Sequence, residues 1–523
     1  MKRRRLRSGG PGRVRKPAGP DTFRTGASTW FVSPVASAAL FAASLFASLV
    51  ASAAPLEAQG VRGSAQTMVR YYEIRPLVDD TIPFADVEQR GDGTFFYEGR
   101  QVVCNTTAFC MRFLSGEKQG AAMLTQDVAM TAWGLGVEGL SATVQLRARA
   151  DLGGDELSWP RADDHFDAML AYAELLRGDF RVRAGRLQNA SGLGFSSYDG
   201  AHVLYTPIPG LSVQAFGGRS LARGLYEPRH EALEGIEEFF PDRNAAIVGG
   251  EVEGRPWSHT SIAARYQREI WWNRSALVSE RASLDITSSA LAPVQLRAGM
   301  DYDFAFGHIG KANLNVSAPV SNGRVMLEAR ASRYMPYFEL WTIWGYFSPV
   351  GYNQVEGRAA WRALDVLQLR GSVGYRRYED AHAPVIFEKL PQDAVSVELD
   401  AVWTATPSVV LDARYRLERG FGAYLGSADL VARYRLNERV NFTVDGSAFQ
   451  QIEQFRLGDG VVLGGGGSLD VQVTPFANLS GGAHVYRQTW DNRPGDPDWN
   501  QVRAWAALRL GFGRDPGLRE GTR

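Results

Sequence analysis

The feature that most limits what this chain can become is a two-residue rhythm of apolar and polar side chains. It starts near residue 121 and returns, segment after segment, as far as residue 513. In residues 142–151, Ala142, Val144, Leu146, Ala148 and Ala150 alternate with Thr143, Gln145, Arg147, Arg149 and Asp151. A helix repeats every ~3.6 residues and would smear such a pattern around its circumference, whereas a strand sorts it onto two faces. The rhythm recurs over 294–304, 311–318, 324–331, 395–403, 409–417, 428–436 and 502–512. Segments of ~9–11 residues that alternate in this way are the signature of a transmembrane β-barrel, with one face in lipid and the other in water.

The links between segments strengthen that reading. One set is short and carries Thr206-Pro207, Asn322-Gly323, Thr406-Pro407, Asn437-Glu438 and Thr474-Pro475; Asn-Gly is a strong hairpin signal. The other set is mostly longer, at about 152–165, 188–200, 220–243, 335–352, 379–392, 450–459 and 489–499. Outer-membrane barrels have short periplasmic turns and long outer loops, so the long set is expected outside. A soluble sandwich explains alternation but not this ordered change of link length. About 21 segments fit between 121 and 513. One more strand, expected within 66–116, would bring both ends to the same side. The expected fold is therefore all-β, a transmembrane antiparallel barrel of about 22 strands (range ~20–24), since such barrels have even strand numbers.

Composition removes the competitors. Lys+Arg and Asp+Glu are 57 each, against the basic excess of a nucleic-acid binder. Past the N-terminal region no run of ~18 apolar residues occurs, so helical membrane spans are not expected. Residues 1–28 are rich in Arg and Lys, 30–54 are apolar, and small residues close the stretch at Ala51-Ser52-Ala53, with a second candidate cut at Ala58-Gln59. That order is a secretory signal peptide, ending at 53 or 58. The expected organisation is thus a leader over 1–58, an N-terminal segment over 59–120, a barrel over 121–513 and a tail over 514–523. With two cysteines in an exported chain, Cys104 and Cys110 are expected to close a small hairpin as a disulfide. Neither is followed by the His of a haem attachment site, and no cofactor or metal is expected.

Repeated amphipathic strands, Thr-Pro or Asn-Gly turns and a final strand ending in Leu510-Gly511-Phe512 resemble the Gram-negative outer-membrane porin-like barrels. The stretch Val182-Arg183-Ala184-Gly185-Arg186-Leu187-Gln188 is similar to a strand followed by Gly-Arg-x-Gln in several porin groups. The resemblance covers about 390 residues. It implies an outer-membrane location, contact with lipid and lipopolysaccharide, and insertion by the barrel-assembly machinery, which in such proteins reads a terminal aromatic. Here residues 513–523 follow Phe512.

The rhythm directs charge into the lumen. Expected lumen-lining residues are Arg147, Arg149, Arg183, Arg297, Asp301, Asp303, Arg370, Glu398, Asp400, Asp412, Arg414, Arg416, Arg433 and Arg435. They read either as a hydrated, charge-patterned channel or as a mesh of salt bridges that stiffens a wide cylinder. A lumen of ~22 strands left bare would leak, so the 59–120 segment or the loop 220–243 is expected to narrow it. An outer-loop aromatic patch holds Tyr337, Phe338, Trp341, Trp344, Tyr346 and Phe347, which reads as an extension of the interfacial girdle, a sugar track or a docking patch. Residues 231–240 suggest a short acidic helix in an outer loop. His259 and Ser261 are similar to the His-x-Ser pair of outer-membrane phospholipase, but they sit beside an inner turn with no visible orienting group, so catalysis is not expected. The expected function is a porin-like channel for passive passage of small hydrophilic solutes. The alternative is a sheath or docking barrel for an envelope partner in an export or electron-conduit complex.

Overall fold

The computed structural model describes residues 60–513 apart from 76, 90–94, 98–99, 105–107, 154–165, 222–244, 273–276, 336–350, 380–391, 421–422, 452–459 and 491–498. The leader, the acidic stretch 231–240 and the tail lie outside the described residues.

Twenty-two strands form one antiparallel sheet that closes on itself. The first, Gly60–Ile74, pairs on one side with the second, Gln119–Trp133, and on the other with the last, Trp499–Gly513. Twenty-one strands lie from residue 119 onward, and the further one is Gly60–Ile74, which begins six residues before the expected region 66–116. The closing seam runs in unbroken register from Arg62↔Gly513 to Tyr72↔Arg503. At this seam Gly63 faces Phe512 directly, and the aromatic ring occupies the space a Cβ on Gly63 would need.

Local chemistry sets the turns. Thr406 Oγ1 accepts the Ser408 N–H at 3.2 Å, and Thr474 Oγ1 accepts that of Phe476 at 3.2 Å. Thr-Pro therefore ends a strand by folding a hydroxyl back on the backbone two residues ahead, while proline withholds an N–H. Asn437 Oδ1 does the same for Arg439 and Val440. Ser321 and Asn322 take left-handed φ angles of 52° and 55°, and Gly323 one of 81°, in the turn before Val325. These short links share one rim, which is the periplasmic rim of an outer-membrane barrel. The opposite rim carries most of the longer links, although Asp303 is joined to His308 by four residues there and Gly420 to Ala423 by two. The expected loop 188–200 is almost wholly strand: Phe180–Ser191 and Gly194–Ile208 are joined by Gly192 and Leu193 alone.

Between the first two strands the chain makes an excursion on the long-link rim. Leu77–Pro83 pairs with Phe109–Ser115, and Glu88–Gln89, Phe95–Tyr97 and Arg100–Val102 form a second small sheet. Ile82, Val102 and Cys110 make its core, with Phe84, Val87, Phe95 and Tyr97 packed around them. Cys104 and Cys110 are disulfide-bonded there.

The two faces of the wall are chemically distinct. Val355, Val373, Val395, Leu399, Leu430 and Val444 stand exposed on the outer face. Arg147, Asp127, Arg370, Asp400 and Arg414 stand on the other face, in cross-strand register with one another in two groups. Only an exterior in hydrocarbon and an interior in water lets both faces lie bare without a second layer. With ~4.8 Å between strands and a tilt of ~40°, 22 strands close at about 44 Å between opposing backbones.

Candidate functional site: the lumen wall and an infolded hairpin

Strands over residues 295–435 build the charged half of the wall. Arg370 Nη1 lies 3.5 Å from Asp400, Arg414 Nε 3.4 Å from the same carboxylate, and Arg414 also reaches Glu398 at 3.8 Å. Arg416 pairs with Glu418 at 3.2 Å, Arg358 with Glu356 at 2.6 Å and Arg433 with Asp412 at 3.9 Å. The partners are not equivalent. The side chains of Arg358, Arg370, Arg414, Arg416 and Arg433 are 45–53% exposed, while Glu356, Asp400 and Glu418 are at most 9% exposed. Short carboxylates sit against the backbone and the longer guanidinium stems carry their charge away from it. The pairs made by Glu356, Asp400 and Glu418 are thus held at the acid end and open at the basic end. Ion pairs this exposed contribute little stability.

Elsewhere Arg147 pairs with Asp127 at 2.6 Å, Arg149 with Asp167 at 3.7 Å and Arg183 with Glu174 at 2.5 Å. Arg297 is exposed near the short-turn rim, where Arg435 donates to the Pro407 carbonyl at 3.0 Å. Asp301 accepts the N–H of Lys311, its partner on the next strand, and Asp303 accepts those of Ala305 and Phe306 in the link at the far end of its own strand. The aromatic patch Tyr337, Phe338, Trp341, Trp344, Tyr346 and Phe347, and the loop 220–243 beyond residue 221, lie outside the described residues. Ser261 Oγ donates to Glu253 at 3.3 Å.

The feature that sequence reasoning missed is the hairpin at 187–197. Phe180–Ser191 pairs with the preceding strand Phe166–Arg177 only as far as Arg186, and Gly194–Ile208 meets the following strand Leu211–Ser220 only from Tyr198. Between those points the two strands pair with each other alone. The departure begins at Gly185, whose φ of 129° is closed to ordinary side chains and whose missing Cβ lets the Tyr172 backbone approach. Its cross-strand partner is Gly200, another position with no room for a Cβ. Arg186 then clasps Asp199 with two hydrogen bonds of 2.8 and 3.0 Å, and Gln188 reaches the Met169 carbonyl at 3.3 Å. The stretch that resembles a porin signature is therefore the bend at which the hairpin leaves the wall.

The tip turns into the lumen. A Cβ on Gly192 would stand 2.8 Å from an Asp285 carboxylate oxygen, 3.1 Å from Arg265 Nη1 and 3.3 Å from Ser283 Oγ. Those residues lie on Thr260–Trp271 and Leu277–Ser288, three and four strands away, where Arg265 binds both Glu251 and Asp285. Tyr266, Leu284 and Met300 expose the opposite, lipid-facing side of the same strands. Under the hairpin Leu187, Tyr198, Phe216 and Ile247 form a buried cluster, with Tyr198 1% exposed and stacked on Phe216 at 5.2 Å. Leu193, Gln267, Glu269, Ser279 and Ser283 are buried as well. Full burial on the inner wall of an otherwise wet barrel requires a second layer, and the hairpin supplies it.

The chain is a closed antiparallel barrel of 22 strands with an apolar outer wall and a charged inner one. No known family model matches it, and no curated protein does. Among solved structures it is similar to the siderophore receptor PirA from Pseudomonas aeruginosa, at 12% identity and a TM-score of 0.48, covering 86% of this chain and 80% of that one. It is also similar to a BenF-like porin from Pseudomonas fluorescens Pf-5, at 8% identity, TM-score 0.38, over 86% of this chain and 99% of that one. A third likeness is to OccK2 (OpdF) from Pseudomonas aeruginosa, at 9% identity, TM-score 0.37, over 86% and 98%. The barrel assignment rests on strand pairing and on the two faces of the wall, independently of these likenesses.

Proposed function

We propose that the protein is a passive channel for small hydrophilic solutes, with a lumen narrowed on one side by the 187–197 hairpin. The observation that supports this most is the half-exposure of Arg358, Arg370, Arg414, Arg416 and Arg433, because guanidiniums can stay this open inside a barrel only beside water. On this reading a solute crosses a hydrated space between the hairpin and the arginine-bearing wall. No step needs a cofactor or a bond change. Its partners would be outer-membrane lipid and lipopolysaccharide, with the barrel-assembly machinery as the agent of insertion.

Planar-bilayer recording of purified protein tests the reading. A channel gives discrete, ohmic openings whose conductance scales with salt. A barrel that inserts but stays silent, and that copurifies with one envelope protein, would instead support the sheath or docking role.

A further inference from the structure

On the lumen face beside the closing seam, three aromatic rings lie against three glycines. Asp445, Gly466, His484 and Arg503 stand in one line of register across the last four strands. Their chain neighbours Val444 and Val485 are exposed on the lipid face, so this line faces the lumen. His484 Nε2 is hydrogen-bonded to Asp445 at 2.9 Å across the strand between them, and its ring covers the place where a Cβ on Gly466 would stand. The Tyr486 ring lies in the same way over Gly464, 2.7 Å from a Cβ there, and the Trp505 indole nitrogen is 3.1 Å from one on Gly482. His484 and Tyr486 are nearly parallel, with 18° between their planes and 6.3 Å between centroids. A side chain at 464, 466 or 482 would lift these rings off the wall. With glycine there, each ring turns one face to the backbone and the other to the lumen.

Two arginines border this plate without a carboxylate. Arg503 is in register with His484 on one side and Tyr72 on the other, and Arg70 with Trp505 and Met123. The two are diagonal neighbours across the seam, about 7–8 Å apart. No Asp or Glu stands in register or on a diagonal beside either one. Glu73, the nearest acid along the first strand, alternates onto the other face and pairs with Lys118 at 2.7 Å. Arg503 donates from Nε to Gln501 Oε1 at 2.7 Å and lies over the Tyr486 ring at 5.0 Å, which fixes its stem and leaves both terminal nitrogens open. Arg70 is exposed and, among the described residues, has no hydrogen bond or ion pair. Arg358, Arg370, Arg414, Arg416 and Arg433 each face a carboxylate, whereas the two guanidiniums at the seam keep their whole charge.

Ring and charge are set a fixed distance apart. The Trp505 indole lies over the strand Ala477–Trp490, while Arg70 rises from Gly60–Ile74, two strand spacings or about 10 Å away. A ring that carries its own carboxylate is too short to touch both. A ring joined to its anion through a sugar spans the gap. Two open guanidiniums also match a phosphate monoester, with a charge of about −1.5 to −2 at pH 7, better than the single charge of a carboxylate, and hold it by paired N–H···O contacts.

We propose that the lumen face of the closing seam is a binding site for solutes that join a flat heteroaromatic ring to a phosphate through a sugar, of which a nucleoside monophosphate is the simplest. The base would stack on the plate of His484, Tyr486 and Trp505, and the phosphate would bridge Arg503 and Arg70. Stacking on an aromatic side chain tolerates any flat base, so the site selects the class and not one member of it. Such binding presupposes the hydrated channel proposed above and gives its solute a chemical class. Arg509, four residues beyond Trp505 towards the short-turn rim, is bound to Gln66 and stands outside the site.

The test is isothermal titration calorimetry of the whole barrel in neutral detergent with four probes: adenosine monophosphate, adenosine, inorganic phosphate and benzoate. Saturable binding is expected with the first, and binding at least about tenfold weaker with each of the others. Arg70→Ala with Arg503→Ala should bring adenosine monophosphate down to the level of adenosine. Tyr486→Leu with Trp505→Leu keeps both arginines and should bring it down to the level of phosphate, a loss of about tenfold or more. Arg509→Ala should leave binding unchanged. Heat-modifiable gel mobility like that of the unaltered protein shows that each variant is folded. Equal affinity across the variants, or any of the other three probes binding as tightly as adenosine monophosphate, would overturn the proposal. Bilayer recording on the same preparation separates the two readings: ohmic openings without nucleotide binding refute the site alone, and nucleotide binding by a silent barrel refutes conduction alone.

Discussion

Undocking the inner hairpin should widen the channel. Tyr198 is its principal anchor, 1% exposed and stacked on Phe216, and Tyr198→Ala removes a buried aromatic at a cost of about 3–5 kcal/mol. Since 1.4 kcal/mol is a factor of ten, even the lower figure moves the balance between docked and undocked hairpin by about two orders of magnitude. The hairpin is about 17 Å long and, as a second layer on a sheet, about 10 Å deep. It therefore occupies roughly 170 Å² of a lumen whose open section is roughly 900 Å² once side chains are allowed for. Tyr198→Ala should raise mean single-channel conductance by roughly a fifth and add flicker as the hairpin moves. The converse variant joins Gly192→Cys to Ser283→Cys, where the Cβ-to-Oγ separation of 3.3 Å is close enough for a disulfide. Oxidation should silence the flicker, and reduction should restore it. If neither variant changes conductance or noise, the hairpin does not shape the passage and the reasoning from its burial is refuted.

Other expectations follow from the same geometry. Gly63→Leu puts a side chain where the Phe512 ring lies at the closing seam, so the folded, heat-modifiable form should fall sharply on semi-native gels while a distant Gly357→Ala leaves it intact. Reducing Cys104–Cys110, a loop of six-residue separation, should cost about 2 kcal/mol of local stability on chain-entropy grounds. That loss should appear as faster amide exchange in Phe109–Ser115, without change in the barrel strands. Arg370→Ala with Arg414→Ala removes two half-exposed cations and leaves Asp400 behind, so the reversal potential in a salt gradient should move towards cation preference; an unchanged potential would mean that these side chains do not face the permeating ions.

How far the sequence could be read depends on what lies on each side of each strand. Residues 142–151 and 395–403 announce themselves because lipid and water demand opposite side chains on their two faces. The first strand, Gly60–Ile74, carries Met68 and Tyr72 on the face it shares with Gln66 and Arg70, so its rhythm is blurred and its position had to come from the parity of the strand count. The hairpin breaks the rule altogether. Past Gly185 it has protein rather than lipid against it, so Leu187, Leu193 and Tyr198 are apolar for packing, and the stretch looks like an irregular loop. Its signals were the glycines at 185, 192, 194 and 200. Lumen charges could be assigned to the inner face from the rhythm, but not the asymmetry that buries Asp400 and leaves Arg370 and Arg414 open, because that depends on stem length and on cross-strand partners.

The most direct measurement is site-directed spin labelling along Val395 to Thr404 and along Gly60–Ile74, reading accessibility to oxygen, which partitions into lipid, and to a water-soluble nickel chelate. In bilayers the odd positions from 395 to 403 should favour oxygen and the even positions between them the chelate. The same two-residue oscillation should carry through the seam strand with Thr67, Val69 and Tyr71 on the oxygen side. Uniform accessibility along either strand, or an oscillation of period near ~3.6, would contradict a closed cylinder with hydrocarbon outside and water within.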